Sequence, residues 1–400
     1  MSQRLLAIFS YRVAARGIAA ILQAVSFVIL ARQLGTDAFG ALAVGVTVGA
    51  IVATFMGLGG GTRALRLGLE TQPKGVATAL FIAQCLAAFT AATISCVVVT
   101  GLLSQAWWLG VAVGIVVLSD ALCGLEQAVL AGLLKPLASA GLLLFQRTAP
   151  FTCVILAHFA NVPAILGYGA GAAIAVVPAV VRPIRDWHNP ITLRDLILSS
   201  RGYWLSKVVE TLAMLDIVVV RMLAGGVAAG LYGIANRVAN PFHIITTSIL
   251  SIITPAAAQA QRREGKADIL GRSTTIAVIC GALVSVCSPL AAEIAVRVLG
   301  AEYAAAKQMI VGFIVAVAIS GVSQTIIARY LIEGKPLLVA LSLALGMGIG
   351  LLIIVLAAVH WTMWLWVGPI LMQLAILGFL VVNRRPVSWP RRLFARASGY

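Results

Sequence analysis

Runs of about 20 consecutive apolar residues recur along the whole chain, each long enough to cross a hydrocarbon layer of roughly 30 Å as a helix. A backbone placed in hydrocarbon must satisfy its own hydrogen bonds, which an α-helix does within a single segment. Reading the runs between charged or turn-rich breaks predicts twelve spans, at 14–33, 39–61, 76–100, 107–133, 138–158, 162–181, 203–222, 227–255, 270–290, 308–329, 337–359 and 361–383. Only 10% of the residues are charged and 61% are hydrophobic, against roughly 25% charged in a soluble domain, so a water-facing surface is out of reach. The fold class is therefore an all-α polytopic membrane protein. The first span contains Arg16 and leads straight into a second span, which does not fit a cleavable signal peptide.

Basic residues set the expected orientation. With both termini cytoplasmic, 22 of the 29 Lys and Arg residues fall in cytoplasmic segments, among them Arg63, Lys74, Lys135, Arg182 and Arg263. The outer loops hold only Arg32, Arg221, Arg297 and Lys307. That asymmetry follows the positive-inside rule and makes the net charge of +16 mainly a topology signal, with attraction to anionic membrane lipids added. The charges are scattered among short loops, which argues against nucleic acid as a partner. The tail "NRRPVSWPRRLFARASGY" is the one compact basic cluster.

The sequence also repeats itself. Arg12 and Arg32 flank the first span as Arg201 and Arg221 flank the seventh. "RQLGTDAFGALA" (32–43) aligns with "RMLAGGVAAGLYG" (221–233) after a one-residue insertion, and "KPL" stands at both 135–137 and 335–337. These matches fall at equivalent places in a 6+6 arrangement. An even number of spans per repeat makes the halves parallel, related by an axis along the membrane normal. The expected division is 1–190 as an N-terminal six-helix bundle with the following cytoplasmic loop, 191–383 as a C-terminal six-helix bundle, and 384–400 as a basic cytoplasmic tail. A cavity between such halves implies alternating access.

Several chemistries find no support. The six cysteines all lie in apolar runs without CxxC spacing, so they read as small buried hydrophobes, and no metal site is expected. The glycines of "GLGGG" (57–61) have no preceding strand and no following Lys-Ser/Thr, so they do not form a nucleotide loop. No cofactor is implied. The longest loops have some 20 residues, too short for a soluble catalytic domain, and the chain is not read as an enzyme.

"ARQLGTDAFGALA", "GLGGGTRALR" (57–66), "LDIVVVRMLAGGVAAGLYGIANRVA" (215–239) and "VLGAEYAAA" (298–306) resemble the flippases of bacterial O-antigen and exopolysaccharide assembly. These belong to the multidrug/oligosaccharidyl-lipid/polysaccharide exporter superfamily. The resemblance covers most of 10–335. It departs at Ile217, where members often carry a charged residue. It implies two six-helix bundles around a V-shaped cavity in the bacterial inner membrane. It also implies transfer of a polyprenyl-pyrophosphate-linked oligosaccharide to the periplasmic leaflet, with polysaccharide assembly proteins as further partners.

Charged side chains inside a membrane mark a pathway or a paired structural site. Asn236, Asn240, His243 and Thr247 share one face of the eighth span, with Arg237 beside it and Pro241 expected to kink the helix. Arg16 lies in the first span, and Gln146, Arg147 and Thr148 in the fifth. Guanidinium groups fork onto phosphate oxygens and stay charged in poorly hydrated surroundings. Arg16, Arg147 and Arg237, with Asn236, Asn240 and His243, are therefore the candidate pyrophosphate-binding residues. Asp120 and Asp216 are the candidate ion-coupling carboxylates, Asp120 sharing a face with Gly124, Gln127 and Ala131. Two other readings compete. One is a multidrug or small-solute antiporter of the same superfamily, which would favour acids over arginines in its cavity. The other is a membrane-embedded polysaccharide polymerase or ligase, which usually needs a sizeable extramembrane loop.

Overall fold

The computed structural model describes the backbone of residues 3–65, 67, 72–262, 267–332 and 335–383, with 3–10 and 243–273 the longest stretches whose side chains are left undescribed. Its helices are α1 (Gln3–Met56), the short α2 (Gly60–Ala64), α3 (Pro73–Val97), α4 (Trp107–Gly132), α5 (Pro136–Phe159), α6 (Ala164–Arg185), α7 (Leu193–Leu212), α8 (Asp216–Arg262), α9 (Ala267–Leu299), α10 (Ala306–Ile332), α11 (Pro336–His360) and α12 (Val367–Val382). Many of them are long and apolar enough to cross a membrane, and the chain is a multi-pass membrane protein. The basic tail at 384–400 lies outside the described residues.

Two helices are too long for one crossing, and each breaks at a glycine. Gly35 (φ 71, ψ 173) interrupts α1 and Gly225 (φ 85, ψ −178) interrupts α8, both in backbone conformations that side chains disfavour. The breaks reverse the chain. Phe27 and Phe39 have ring centroids 6.3 Å apart, although twelve residues of straight helix would separate them by about 18 Å. Across the other break, Tyr232 OH donates to Asp216 Oδ2 at 2.8 Å. Each long helix is thus a hairpin, and with α7 and the short first arm of α8 (216–224) running on as one segment, twelve segments result among the described residues.

The two lobes repeat one packing scheme. α3 packs on α4 as α9 packs on α10, α5 on α6 as α11 on α12, and α4 on α6 as α10 on α12. The turn geometry repeats as well. Lys135 (φ −108, ψ 60) and Lys335 (φ −113, ψ 55) each precede a helix-opening proline. Their amides donate to Leu130 O at 2.8 Å and Tyr330 O at 2.9 Å.

The lobes meet where α1 lies against α8. A Cβ on Gly40 would come within 2.5 Å of Gly226 O and 2.8 Å of Gly230 N, and one on Gly230 within 1.9 Å of Thr36 O. Tyr303 OH donates to Ala31 O at 2.9 Å, and Phe27, Leu30, Phe39, Tyr232, Tyr303 and Phe313 pack into a shared core. This closes the end of the bundle at which Gly35 and Gly225 lie. Cations at that end are matched by acids: Arg221 with Asp37 at 2.6 Å, and Arg297 and Lys307 with Glu293 at 2.9 and 2.7 Å. At the opposite, basic end, α2 and α7 are pinned by Arg63 NH1, which donates to Leu196 O at 3.0 Å and Ser200 Oγ at 2.9 Å.

Three local expectations are revised. α7 begins at Leu193, ten residues before the apolar run at 203. Thr192 caps it, accepting from the Asp195 amide at 3.2 Å while its hydroxyl donates to Asp195 Oδ2 at 2.6 Å, a reciprocal cap that starts a helix in polar sequence. α8 continues through Pro241, and the break in that helix falls at Gly225 instead. The glycines after Met56 form a left-handed turn at Leu58 (φ 53) and Gly59 (φ 65) that leads into α2.

The contact of Gly230 with Thr36 yields a test. Gly230→Val should overpack the α1–α8 seal at a cost of about 1–3 kcal/mol. A cysteine placed at position 36 should then become reactive to a membrane-impermeant thiol reagent in the valine variant and stay protected in the parent. Equal labelling of the two would show that this contact does not close the bundle.

Candidate functional site

Asp120, Gly124, Gln127 and Ala131 of α4 stand at i, i+4, i+7 and i+11, one helical face, and that face meets open space. A cavity of about 240 Å³ is lined by Thr54, Gly57, Gln84, Asp120, Gly124 and Lys207, among others. A second, of about 200 Å³, is lined by Arg16, Gly124, Gln127, Ala131 and Ser139 among others. Gly124 borders both, and its bare backbone leaves the two spaces adjacent.

Behind this face lies a chain of side-chain hydrogen bonds. Gln127 Nε2 donates to Gln146 Oε1 at 2.6 Å, and Gln146 Nε2 donates to Asp120 Oδ1 at 2.8 Å. Arg147 NH1 donates to the same Asp120 oxygen at 3.0 Å. The second carboxylate oxygen, Oδ2, accepts no hydrogen bond among the described residues. Asp120 is the more open partner, with 37% side-chain exposure against 18% for Arg147. Proline at position 150, one turn further along α5, lets Gly171 of α6 approach closely, a Cβ there falling 2.4 Å from Pro150 Cα. That contact draws α6 onto α5 and brings Tyr168 beside Arg147.

Arg237 reaches this group from the other lobe. Its guanidinium sits 4.6 Å from the centroid of the Phe27 ring, a favourable placement of a cation over a ring face. Phe27 in turn packs against Tyr168 at 5.7 Å. Arg237, Arg147, Asp120 and Tyr168 are close enough to act on one another electrostatically. Among the described residues Arg237 has no carboxylate at ion-pair distance. Five segments from both lobes thus build one cluster with two guanidinium groups, one carboxylate and two aromatic rings.

The other candidates are placed differently. Arg16 is exposed and lines the second cavity together with Gln127. Asn236 and Asn240 are exposed on α8, on a face whose earlier member Ala229 is fully buried. This face of α8 therefore becomes more open with distance from Gly225. The side chain of His243 lies outside the described residues. Asp216 is held away from the cluster: Tyr232 donates to Oδ2, and the Ile217 amide donates to Oδ1 at 2.7 Å. Neither Arg147 nor Arg237 lines either cavity.

Sequence reasoning did not single out Phe27 or Tyr168. The one available signal for Tyr168 is a polar aromatic between glycines in "LGYGAG". Phe27 carries none, since a phenylalanine in an apolar run is ordinary. A buried ion pair between Glu126 and Arg182 was also not foreseen.

Solved structures with the same fold exist. The chain is similar to an inward-facing multidrug resistance MATE family transporter of the MOP superfamily, with 14% identity, 90% of this chain and 93% of that one covered, and a TM-score of 0.62. It is similar to the lipid II flippase MurJ in an inward closed conformation, with 10% identity, coverage of 94% and 86%, and a TM-score of 0.68. It is also similar to the MATE multidrug transporter DinF-BH, with 13% identity, 96% of each chain covered, and a TM-score of 0.63. At these identities the likeness is one of fold. No protein-family model matches the sequence, and no curated protein matches it.

The pairing of Asp120 with Arg147 can be measured by a double-mutant cycle. Arg147→Ala leaves a carboxylate uncompensated in a poorly hydrated site and should lower stability by about 3 kcal/mol. Adding Asp120→Ala should recover much of that loss, with a coupling of about 1–3 kcal/mol. Thermal unfolding of the four proteins in one detergent reads the coupling, and additive losses would rule the pair out as a unit.

Proposed function

We propose that this chain is an alternating-access carrier that moves a polyprenyl-pyrophosphate-linked oligosaccharide from the cytoplasmic to the periplasmic leaflet of a bacterial inner membrane, for surface polysaccharide synthesis. The observation that carries this reading is the Arg147–Arg237 cluster. Among the described residues, two guanidinium groups from different lobes stand near one carboxylate, Asp120, and a pyrophosphate diester offers the oxygens that such forks recognise. A site shared by two lobes is reshaped whenever the lobes rock, which is what alternating access requires. The fold supports the reading, since the structures that share it are named as transporters, one of them a lipid II flippase.

The basic end of the bundle faces the cytoplasm in this reading, and 1–190 and 191–383 are the two moving units. Arg16, exposed on the second cavity, is the first cation an entering headgroup meets from that side. Asn236, Asn240 and His243 supply hydrogen bonds to the sugar along the opening face of α8. Membrane lipids surround the bundle, and assembly proteins receive the product. The glycines at 57–61 form a turn rather than a phosphate cradle, and in this reading the membrane potential or a counter-ion, not ATP hydrolysis by this chain, drives the cycle. A multidrug antiporter of the same fold would favour acids over arginines at its site, whereas here Asp120 stands against Arg147, with Arg237 close by.

Arg147→Ala and Arg237→Ala should each reduce polysaccharide export at least tenfold while the protein still reaches the membrane. Lysine at either position should restore only part, because the planar fork is lost. Normal export by the double alanine variant would exclude an anion site here. Separately, purified protein in proteoliposomes should flip the lipid-linked substrate under an imposed potential with no nucleotide present. Flipping that appears only on addition of ATP would refute this energy source.

A further inference from the structure

The two arginines that would hold a pyrophosphate line neither cavity, whereas Asp120 lines the larger one and holds Arg147 from behind. A substrate anion that reaches Arg147 through that cavity therefore finds Asp120 already on the guanidinium. From this placement we infer that Asp120 is a built-in substitute for the substrate's phosphate: it caps the arginines while the site is empty and is displaced into the cavity when the anion binds. The inference rests on the anion-carrier reading and adds to it the residue that the anion must compete with.

Three features of the site carry it. Asp120 presents one oxygen to both Arg147 and Gln146, at 3.0 and 2.8 Å, which is how a phosphate oxygen would be held. Its other oxygen, Oδ2, accepts no hydrogen bond among the described residues, and the side chain is 37% exposed, so little besides those two donors holds it. The space to receive it already exists. The cavity on its open side has about 240 Å³ and its lining includes the polar side chains of Thr54, Gln84 and Lys207, so a displaced carboxylate moves into room with a polar wall.

The charged and titratable groups around Asp120 come from every neighbouring segment. They are Arg147 on α5, Tyr168 on α6, Arg237 on α8, Cys123 and Glu126 on α4 itself, and Lys207 across the cavity on α7. Glu126 is balanced by Arg182 and Lys207 stands on the far wall of the cavity, so the cluster of Arg147, Arg237 and Asp120 itself holds two positive charges and one negative. Exchanging an internal anion for an external one makes the empty and loaded states alike in what the arginines feel. Neither state then leaves a bare guanidinium pair in hydrocarbon, which would be costly.

The test uses the full chain in lipid nanodiscs, titrated calorimetrically with inorganic pyrophosphate and with a short prenyl pyrophosphate at constant ionic strength. Removing the competing charge should tighten binding of both ligands about tenfold, in Asp120→Asn and again in Asp120→Ala, which removes the group without supplying an amide. Asp120→Glu should return the affinity to that of the parent. A residue that merely shaped the site would weaken binding when replaced, so equal or weaker binding in both neutral variants overturns the inference. Arg147→Ala with Arg237→Ala separates the two levels of the claim. If the parent binds pyrophosphate and this double variant does not, yet the neutral variants at position 120 bind no tighter, the carrier reading stands and the displacement falls. If no protein in the set binds either anion, both fall.

Discussion

The close approach of α1 and α8 at Gly40 and Gly230 is the contact on which the rest of the structure depends. Two hairpin-shaped helices, each broken by its own glycine, are drawn backbone to backbone, with no room for a side chain between Gly230 and the Thr36 carbonyl. In hydrocarbon there is little hydrophobic force between helices, so association depends on van der Waals packing and on small residues that permit it. That backbone-to-backbone packing is confined to one end; at the other the lobes meet through side chains, Arg63 donating to Leu196 O and Ser200 Oγ and Trp204 Nε1 to Phe55 O. The same α8 face that is buried at Ala229 is exposed at Asn236 and Asn240. The tight seal at one end, against side-chain contacts at the other, is a consequence of where the glycines fall.

A second constraint is that a carboxylate within or near the bilayer needs a partner. Asp37 has Arg221, Glu293 has Arg297 and Lys307, Glu126 has Arg182, and Asp216 has the Tyr232 hydroxyl. These pairs lie toward the ends of helices or inside one lobe, and they hold the architecture. Asp120 differs because its partner Arg147 is followed by a further arginine from the opposite lobe. Arg237 meets the Phe27 ring rather than a carboxylate. A surplus of positive charge is thereby concentrated at one place between the lobes, and it is that surplus, more than any single arginine, that marks the site.

How much of this was legible in the sequence depended on whether the cause was local. Twelve segments follow from the lengths of the apolar runs. The repeat follows from the glycine pattern after Arg32 and Arg221 and from the two "KPL" turns, whose backbone angles agree closely. The start of α7 was hidden because "LRDLILSSRGYW" is too polar to register as a span, although Thr192 and Asp195 form a cap that local reasoning could have found. The site was legible as a set of residue types and not as a geometry. Arg147, Arg237 and Asp120 could be named from their cost in hydrocarbon, but which of them meet depends on how five helices are rotated about their axes. That rotation is fixed by distant contacts such as Gly171 against Pro150. It separated Arg16 from the other arginines, took Asp216 out of reach, and brought in Phe27 and Tyr168, which look in sequence like ordinary apolar positions.

Under the proposed carrier reading, the charge at the cluster has a consequence for a cycle that runs on the membrane potential. Arg147 and Arg237 with Asp120 sum to one positive charge when the site is empty. A bound pyrophosphate diester contributes about two negative charges, so the loaded site carries about one negative. With the interior of the cell negative, the field favours outward movement of the loaded site and inward movement of the empty one, each by up to about 2.3 kcal/mol per charge per 100 mV if the charge crosses the full potential. Were Asp120 absent, the empty site would carry two positive charges and the loaded site none, and the outward step would gain nothing from the field. A single carboxylate placed against two arginines therefore divides the available electrical work between both halves of the cycle, leaving neither half uphill.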